Sequence, residues 1–273
     1  MLSSWLARET RNPSPYKFAV EDIGEHTEPD DTLKHYVAQK LLLAHANPEM
    51  LRRELQILAD DAANMQLFVI REYIEQQVLP DKDKIATRVG NFGEIIASNY
   101  LVEFEGFTFP IYKLRFREKK DWSMRLTDLF LIKLVDGQPP SICYGEVKTK
   151  SSGCDLQLAV KGHNSLAKDD ALSDPEILRF ICVWLYETEM FEEAELFSNI
   201  RLGKIQYSKR HDLFLIHDKS TWTDQILDNL EICDLDNRLV DFSVKVLQIA
   251  DLRTLIDTTY SHCSLAAVEV LDE

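Results

Sequence analysis

The sequence lacks the features of membrane proteins, secreted proteins and zinc ribbons. None of the apolar runs in its 273 residues reaches the roughly eighteen residues that suggest a membrane span. Its N-terminus has no basic stretch followed by an apolar core, so we expect no secretory signal. The five cysteines form no C-x-x-C pair, which disfavours a zinc ribbon or a disulfide framework and favours reduced thiols. We therefore expect a cytoplasmic protein.

Several motifs that define enzyme classes are also missing. Without G-x-x-x-x-G-K-[ST], the chain is not expected to hydrolyse nucleoside triphosphates through a P-loop. The sequence contains no H-E-x-x-H, G-x-S-x-G or G-x-G-x-x-G motif, and its seven histidines are scattered. These absences argue against zinc proteases, serine hydrolases and dinucleotide-binding enzymes.

Positive charge is scarce, since 31 Lys and Arg stand against 46 Asp and Glu and give a net charge of −15. This balance argues against extensive phosphate binding, which depends largely on Lys and Arg. Residues 113–161 are the exception. Their ten Lys or Arg and six Asp or Glu give +4, which leaves −19 for the remainder. An acidic remainder suits a basic partner or prevents unguided DNA binding.

The content of 45% apolar and 28% charged residues is that of a globular protein with a sizeable core. We predict an α/β fold with a mixed sheet flanked by helices. A mainly helical N-terminal region, residues 1–82, would pack on a core of residues 83–273. The periodicity predicts helices over 31–46, 48–78, 156–166, 176–197, 221–230 and from 251, and a helix carrying Glu94 after a turn at 90–94. It predicts strands near 16–20, 129–135, 141–147, 207–217 and 241–249, and a strand with a basic loop over 107–120.

A hairpin predicted over residues 125–150 gathers the most informative side chains. Residues 136–140, DGQPP, have the composition of a turn between two apolar runs. Asp128 starts the first strand, while Glu146 and Lys148 lie near the end of the second and share one face. Antiparallel pairing would place Asp128 beside them. Two carboxylates and a lysine at one point are typical of a divalent-metal site with a cationic helper.

This pattern resembles the D…E-x-K signature of the PD-(D/E)xK nucleases. Asp128 precedes Glu146-Val147-Lys148 by eighteen positions, with Thr127 where the usual proline stands. Glu94 matches the glutamate often carried on the helix before the core hairpin. The resemblance implies a restriction-endonuclease-like fold and Mg²⁺- or Mn²⁺-dependent DNA hydrolysis. The arrangement of the whole chain is similar to the nuclease subunits of Hachiman-type antiphage defence systems, which implies a separately encoded helicase partner.

The same resemblance implies a role for each residue. Asp128, Glu146 and the carbonyl of Val147 would hold the metal ion, and Lys148 would orient the attacking water or neutralise charge at the scissile phosphate. Glu94 would ligate a metal or hold a metal-bound water. The residues predicted to bind the DNA backbone are Lys113, Arg115, Arg117, Lys119, Lys120, Lys150 and Lys161, with Gln157 and His163 as further candidates.

Each residue taken alone has an ordinary structural explanation. Glu-Val-Lys on a strand is often a surface ion pair, an Asp at a strand start is often a cap, and Glu94 early in a helix favours the helix dipole. Two other functions therefore stay open. One is a catalytically silent nuclease fold that serves as an interaction module, and the other is an enzyme of unrelated chemistry with an accidental E-x-K.

Overall fold

The computed structural model describes residues 1–61, 67–116, 119–121, 127–168 and 174–272. The strands are β1 (Leu6–Thr10), β2 (Ala19–Glu25), β3 (Leu129–Lys133), β4 (Ser141–Lys150), β5 (Ser208–Asp218) and β6 (Phe242–Ile249). The α-helices are α1 (Leu2–Trp5), α2 (Asp31–His45), α3 (Pro48–Asp61), α4 (Leu67–Tyr73), α5 (Ile85–Glu105), α6 (Leu158–Leu166), α7 (Asp174–Glu187), α8 (Phe191–Arg201), α9 (Gln225–Glu231) and α10 (Leu252–Asp272). Within these ranges, no helix has the length and apolarity needed to cross a membrane.

The six strands form one mixed sheet in the order β1-β2-β6-β5-β4-β3. The β1–β2 and β3–β4 pairs are antiparallel, and the pairs between them in the sheet are parallel. Alternate residues of β4 are buried on opposite faces, Cys143 against α2, α5 and α10 and Tyr144 against α7 and α8. A third apolar cluster joins α6 and α9 to β5 and β6. The predicted α/β fold with helices flanking a mixed sheet is confirmed.

The N-terminal region contributes two strands to this sheet. An irregular arm or an edge strand around 16–20 was predicted, but β2 begins at Ala19 and lies inside the sheet, between β1 and β6. The reason is that Val20 and Ile23 are buried in apolar clusters on opposite faces of the sheet. Residues before and after position 82 therefore share one sheet, and the domain boundary at that position stays a prediction.

The helix that carries Glu94 is continuous. The turn predicted at 90–94 was wrong, because α5 runs from Ile85 through Gly90 and Gly93 to Glu105. The helix ends at Gly106, which has the left-handed conformation with φ +73°. After it, the predicted strand is reduced to a bridge between Thr108 and Ile132, followed by a 3₁₀ helix at Lys113–Phe116. The helix predicted over 176–197 is divided into α7 and α8, with Glu189 between them at φ 60°.

A network of ion pairs fastens the end of α5 to the sheet. Arg210 bridges Asp212 and Glu105, with 2.6 Å to an oxygen of each carboxylate. Lys245 lies 3.0 Å from the other carboxylate oxygen of Glu105 and 2.6 Å from Glu21. Burial alone would raise the pKa of Glu105, but Lys245 and Arg210 outweigh it, so this pKa lies below its ordinary value. The network therefore fixes the helix that carries Glu94.

Candidate functional site at the end of strand β4

Strand β4 extends beyond its hairpin partner. The pairing of β3 with β4 ends at Leu129 and Gly145, whereas β4 stays paired with β5 as far as Lys150. Asp128 lies beside the extension, where its Oδ2 accepts the backbone N–H of Val147 at 2.9 Å. The N–H and C=O of one strand residue point to the same side, so the Val147 carbonyl also faces this edge. The predicted hairpin thus brings Asp128 and Val147 together.

Glu146 and Lys148 lie on one face of this extension, as predicted. The Lys148 ammonium donates a hydrogen bond of 2.6 Å to Oε1 of Glu146, and the Glu146 side chain is only 12% exposed. Burial, followed by the negative charge of Asp128, raises the pKa of Glu146 above its ordinary value, although Lys148 and Lys113 oppose the shift. Burial and the neighbouring carboxylate thus disfavour the ionised form of Glu146 more than the two lysines favour it.

Thr127 occupies the position of the proline in the nuclease signature, and it makes a contact beside Asp128 that the sequence did not reveal. It is buried, and its hydroxyl donates a 2.8 Å hydrogen bond to the Gly145 carbonyl across the end of the hairpin. This bond fixes the backbone immediately before Asp128. A proline has no side-chain donor, so Thr127 orients the carboxylate of Asp128 by a different means.

Helix α5 approaches β4 closely because residue 93 has no side chain. A Cβ atom at Gly93 would lie 1.8 Å from Oγ1 of Thr149 and 3.3 Å from a methyl carbon of Val147. The Thr149 hydroxyl is buried without a hydrogen-bond partner in the part of the chain that the structure describes. The contact of Gly93 with β4 therefore sets the position of Glu94, the next residue on the helix.

We expect Gly93→Ala to destabilise the fold by about 1–3 kcal/mol, because the new methyl group overpacks the contact with Thr149. The change should also displace Glu94 from the site. Gly90→Ala is the matched control on the same helix, since no atom of the described residues lies within 4 Å of its added Cβ, and it should stabilise by about 0.5–1 kcal/mol. Urea denaturation measures both; equal effects of the two substitutions would contradict this explanation.

Lys113 has a different place from the one predicted. It was expected on a surface that binds DNA, but its ammonium lies inside the site, 3.1 Å from Oε2 of Glu94 and 3.5 Å from Oδ1 of Asp128. It also donates a hydrogen bond of 3.0 Å to the Thr127 carbonyl. Burial alone would lower the pKa of Lys113, but Glu94 and Asp128 outweigh it and raise this pKa. The sequence showed a basic stretch but not that one of its members turns inward.

The donor atoms at this edge suit a hard divalent cation. Carboxylate and carbonyl oxygens are the ligands that Mg²⁺ and Mn²⁺ prefer, and Asp128, Glu146 and Val147 provide them at adjacent positions. Within the described ranges, however, no three His, Cys, Asp or Glu side chains are grouped as a ready-made metal site. Lys113 lies between Glu94 and Asp128, so some rearrangement of these side chains must accompany metal binding.

The other cations predicted to bind DNA have varied surroundings. The Arg115 guanidinium donates to the Leu43 carbonyl with its Nε at 2.8 Å and stacks over Tyr112, so it anchors the chain locally. Lys120 forms an ion pair with Asp81. Arg117 lies outside the described residues. Lys119 is exposed and Lys150 is partly buried near the end of β4.

The candidates on and before α6 lie apart from these. Lys161 is exposed and forms an ion pair of 2.8 Å with Asp155, and Gln157 is exposed. His163 is buried, and its Nε2 accepts the backbone N–H of Asp236 at 3.1 Å. This bond gives His163 a structural role in holding a loop.

Two neighbouring cavities meet at the 3₁₀ helix of residues 113–116. A small one of about 60 Å³ has a mostly apolar lining that includes Glu94, Lys113 and Asp128. A larger one of about 610 Å³ contains cations and aromatic rings, and Leu114 lines both. The larger cavity includes Arg115, Phe116, Lys119, Lys120, Tyr73 and Trp184. A basic, aromatic groove thus adjoins the carboxylate site.

Comparison with known proteins gave two consistent matches. A family model described as HamA matches residues 3–263, nearly the whole chain. The Hachiman protein HamA of Bacillus cereus is 27% identical over 220 residues, which cover 79% of this chain and 75% of that protein.

Proposed function

Because the chain belongs to the HamA family, we propose that it is the nuclease component of a Hachiman-type antiphage defence system. Its reaction would be the hydrolysis of DNA phosphodiester bonds with Mg²⁺ or Mn²⁺, by a site of PD-(D/E)xK type. One observation carries the proposal. The hairpin register puts Asp128 beside Glu146, and Oδ2 of Asp128 binds the N–H of Val147 between Glu146 and Lys148.

Asp128, Glu146 and the Val147 carbonyl would hold the metal ion. Glu94 lies beside the same Lys113 ammonium as Asp128, so it would ligate a metal or hold a metal-bound water. The bound ion would supply an activated water and charge neutralisation at the phosphate. Lys148 would place its positive charge at the scissile phosphate, where charge develops as water attacks phosphorus and the P–O bond breaks. Thr127 and Gly93 act indirectly, by fixing the positions of Asp128 and Glu94.

The groove lined by Arg115, Phe116, Lys119, Lys120 and Trp184 would receive the DNA strand, since cations and aromatic rings suit phosphates and bases respectively. The net charge of −15 opposes strong binding of DNA by the chain alone. We therefore propose that a separately encoded helicase delivers or restrains the nuclease and supplies the ATP-driven function for which this sequence has no P-loop.

The test is cleavage of plasmid and linear DNA in Mg²⁺, Mn²⁺ or EDTA, with and without the separately encoded helicase. We expect metal-dependent cleavage by the wild type and a loss of about 10²–10³-fold in Lys148→Met, which removes the charge at the phosphate. Lys204→Met, which removes an exposed lysine between α8 and β5, is the matched control and should retain most of the activity. Undiminished cleavage by Lys148→Met would contradict the assignment.

A catalytically silent interaction module is the second candidate. It is favoured by the pairing of the carboxylates with the protein's own cations, Glu94 and Asp128 with Lys113 and Glu146 with Lys148. No cleavage under any condition, together with no rise of Tm in Mg²⁺ or Mn²⁺, would select this function over the nuclease.

A further inference from the structure

The ammonium of Lys113 has the surroundings of a bound cation. Three oxygens from separate groups lie within 3.5 Å of its Nζ, the carboxylates of Glu94 and Asp128 and the carbonyl of Thr127. The Lys113 side chain is only 15% exposed, and those of Glu94 and Asp128 are 16% and 23% exposed. Ion pairs with so little water around them are screened weakly.

Local anchors hold the Lys113 backbone in this place. The 3₁₀ helix at Lys113–Phe116 is fixed by the burial of Leu114 and by the hydrogen bonds from Arg115 to the Leu43 carbonyl. The guanidinium of Arg115 also lies 4.2 Å from the ring centroid of Tyr112. The Lys113 backbone is therefore anchored, and the ammonium changes position by rotation of its flexible side chain.

The charges of the site explain why a cation is needed there. Glu94, Asp128 and Glu146 bring three carboxyl groups together, and the ammonium of Lys148 donates its hydrogen bond to Glu146. Without Lys113, the partly buried carboxylates of Glu94 and Asp128 would lose the cation that joins them. An uncompensated buried charge is strongly destabilising. Those two carboxylates come from different parts of the chain, α5 and the start of β3, so Lys113 also joins two elements.

We propose that Lys113 is an internal counterion that occupies the cation position between Glu94 and Asp128 and competes there with a divalent metal ion. This inference rests on the proposed metal-binding function of the site. Lys113 offsets part of the negative charge of these two carboxylates in the absence of metal, and its ammonium must leave before both carboxylates contact a metal ion. Lys113 is thus a positioning residue that sets the metal concentration at which the site fills.

The full-length Lys113→Met variant tests this, because methionine has similar length and no charge. In EDTA, its Tm should fall several degrees below that of the wild type, since the carboxylates lose their counterion. In a calorimetric Mn²⁺ titration, the midpoint, which is the free Mn²⁺ concentration that fills half of the sites, should decrease by about tenfold, because Mn²⁺ no longer competes with the ammonium.

Two controls isolate the effect. Lys113→Arg keeps the charge and should keep the Mn²⁺ midpoint within about threefold of the wild-type value, well short of the shift in Lys113→Met. Lys204→Met removes an exposed ammonium between α8 and β5 and should change neither the Tm in EDTA nor the Mn²⁺ midpoint. If Lys113→Met does not fold, Lys113→Gln offers the same loss of charge with a hydrogen-bond donor retained for Glu94.

The outcomes separate this inference from the proposed function. If the wild type responds to Mn²⁺ and the uncharged variant has the same or a higher midpoint, Lys113 does not compete with the metal, and the metal site itself still stands. If neither protein binds Mn²⁺, the proposed metal site is wrong, and the proposed competition between Lys113 and the metal ion is wrong as well. A lowered midpoint in the uncharged variant, with the wild-type midpoint in Lys113→Arg, supports the counterion role.

Discussion

Glu146→Gln is expected to reduce metal-dependent DNA cleavage by about 10³-fold while making the metal-free protein more stable. The loss of activity follows from removing one of the two charged oxygen ligands proposed for the metal ion. Glutamine retains the size of the side chain and an oxygen that accepts the Lys148 hydrogen bond, so the geometry of β4 should persist. Initial rates of cleavage on linear DNA, at equal protein concentrations, measure this effect.

The gain in stability follows from the raised pKa of Glu146. A raised pKa means that the fold disfavours the ionised carboxylate, which burial and the charge of Asp128 cause. This cost is present at neutral pH, decreases as the pH falls through the folded-state pKa and is absent below the ordinary value of about 4.5. Glu146→Gln should therefore raise the free energy of unfolding at pH 7 by about 1 kcal/mol, which corresponds to a rise of a few degrees in Tm. Near pH 4 the gain should be much smaller.

Glu192→Gln is the control for stability, because Glu192 is exposed on α8 and its substitution should change Tm little at either pH. Melting curves in EDTA compare the three proteins. A Glu146→Gln variant that melts below the wild type at pH 7, or that cleaves DNA at the wild-type rate, would contradict the role given to this carboxylate.

Glu105→Gln is expected to destabilise the fold by about 3–5 kcal/mol, the largest stability effect that we predict. Glu105 pairs with Arg210 at 2.6 Å and with Lys245 at 3.0 Å, where all three side chains are at least 80% buried. Neutralising Glu105 would leave both cations with less negative charge around them. Because Glu105 is the last residue of α5, the loss should also loosen the helix that carries Glu94.

Urea denaturation at two pH values measures this prediction. The pKa of Glu105 is depressed, so its contribution to stability is complete above its ordinary value of about 4.5 and is lost as the pH falls through the lower folded-state pKa. The difference between wild type and Glu105→Gln should therefore be large at pH 7 and smaller at acidic pH. A change below about 0.5 kcal/mol at pH 7, as expected for the exposed Glu192→Gln, would contradict the role of the network.

The sequence was sufficient to predict the hairpin and the meeting of Asp128 with Glu146 and Lys148. A strand has a period of two, and two strands joined by the short connection between Lys133 and Ser141 pair with each other, so both follow from neighbouring residues. The place of Lys113 could not be predicted in this way. Its surroundings, KLRFREKK, are typical of a solvated basic loop, and only the packing of α5 against β4 brings Glu94 near its ammonium.

Other differences between prediction and structure have the same origin. The interior position of β2 depends on parallel pairing with β6, more than two hundred residues later in the chain, for which the local sequence gives no signal. The anchoring of Arg115 depends on a carbonyl of α2, and that of His163 on the backbone of Asp236. The contacts of a cation or a histidine in a basic segment thus depend on parts of the chain that are distant in sequence.

The location of a bound metal ion is the most direct measurement of the proposed nuclease site. Crystals of the wild-type protein grown with Mn²⁺ would reveal the ion by its anomalous scattering. We expect a peak in contact with the carboxylates of Asp128 and Glu146 and with the Val147 carbonyl, and the Lys113 ammonium moved away from Asp128. Mn²⁺ bound elsewhere, or no bound Mn²⁺ at concentrations that support DNA cleavage, would contradict a metal-dependent site at the end of β4.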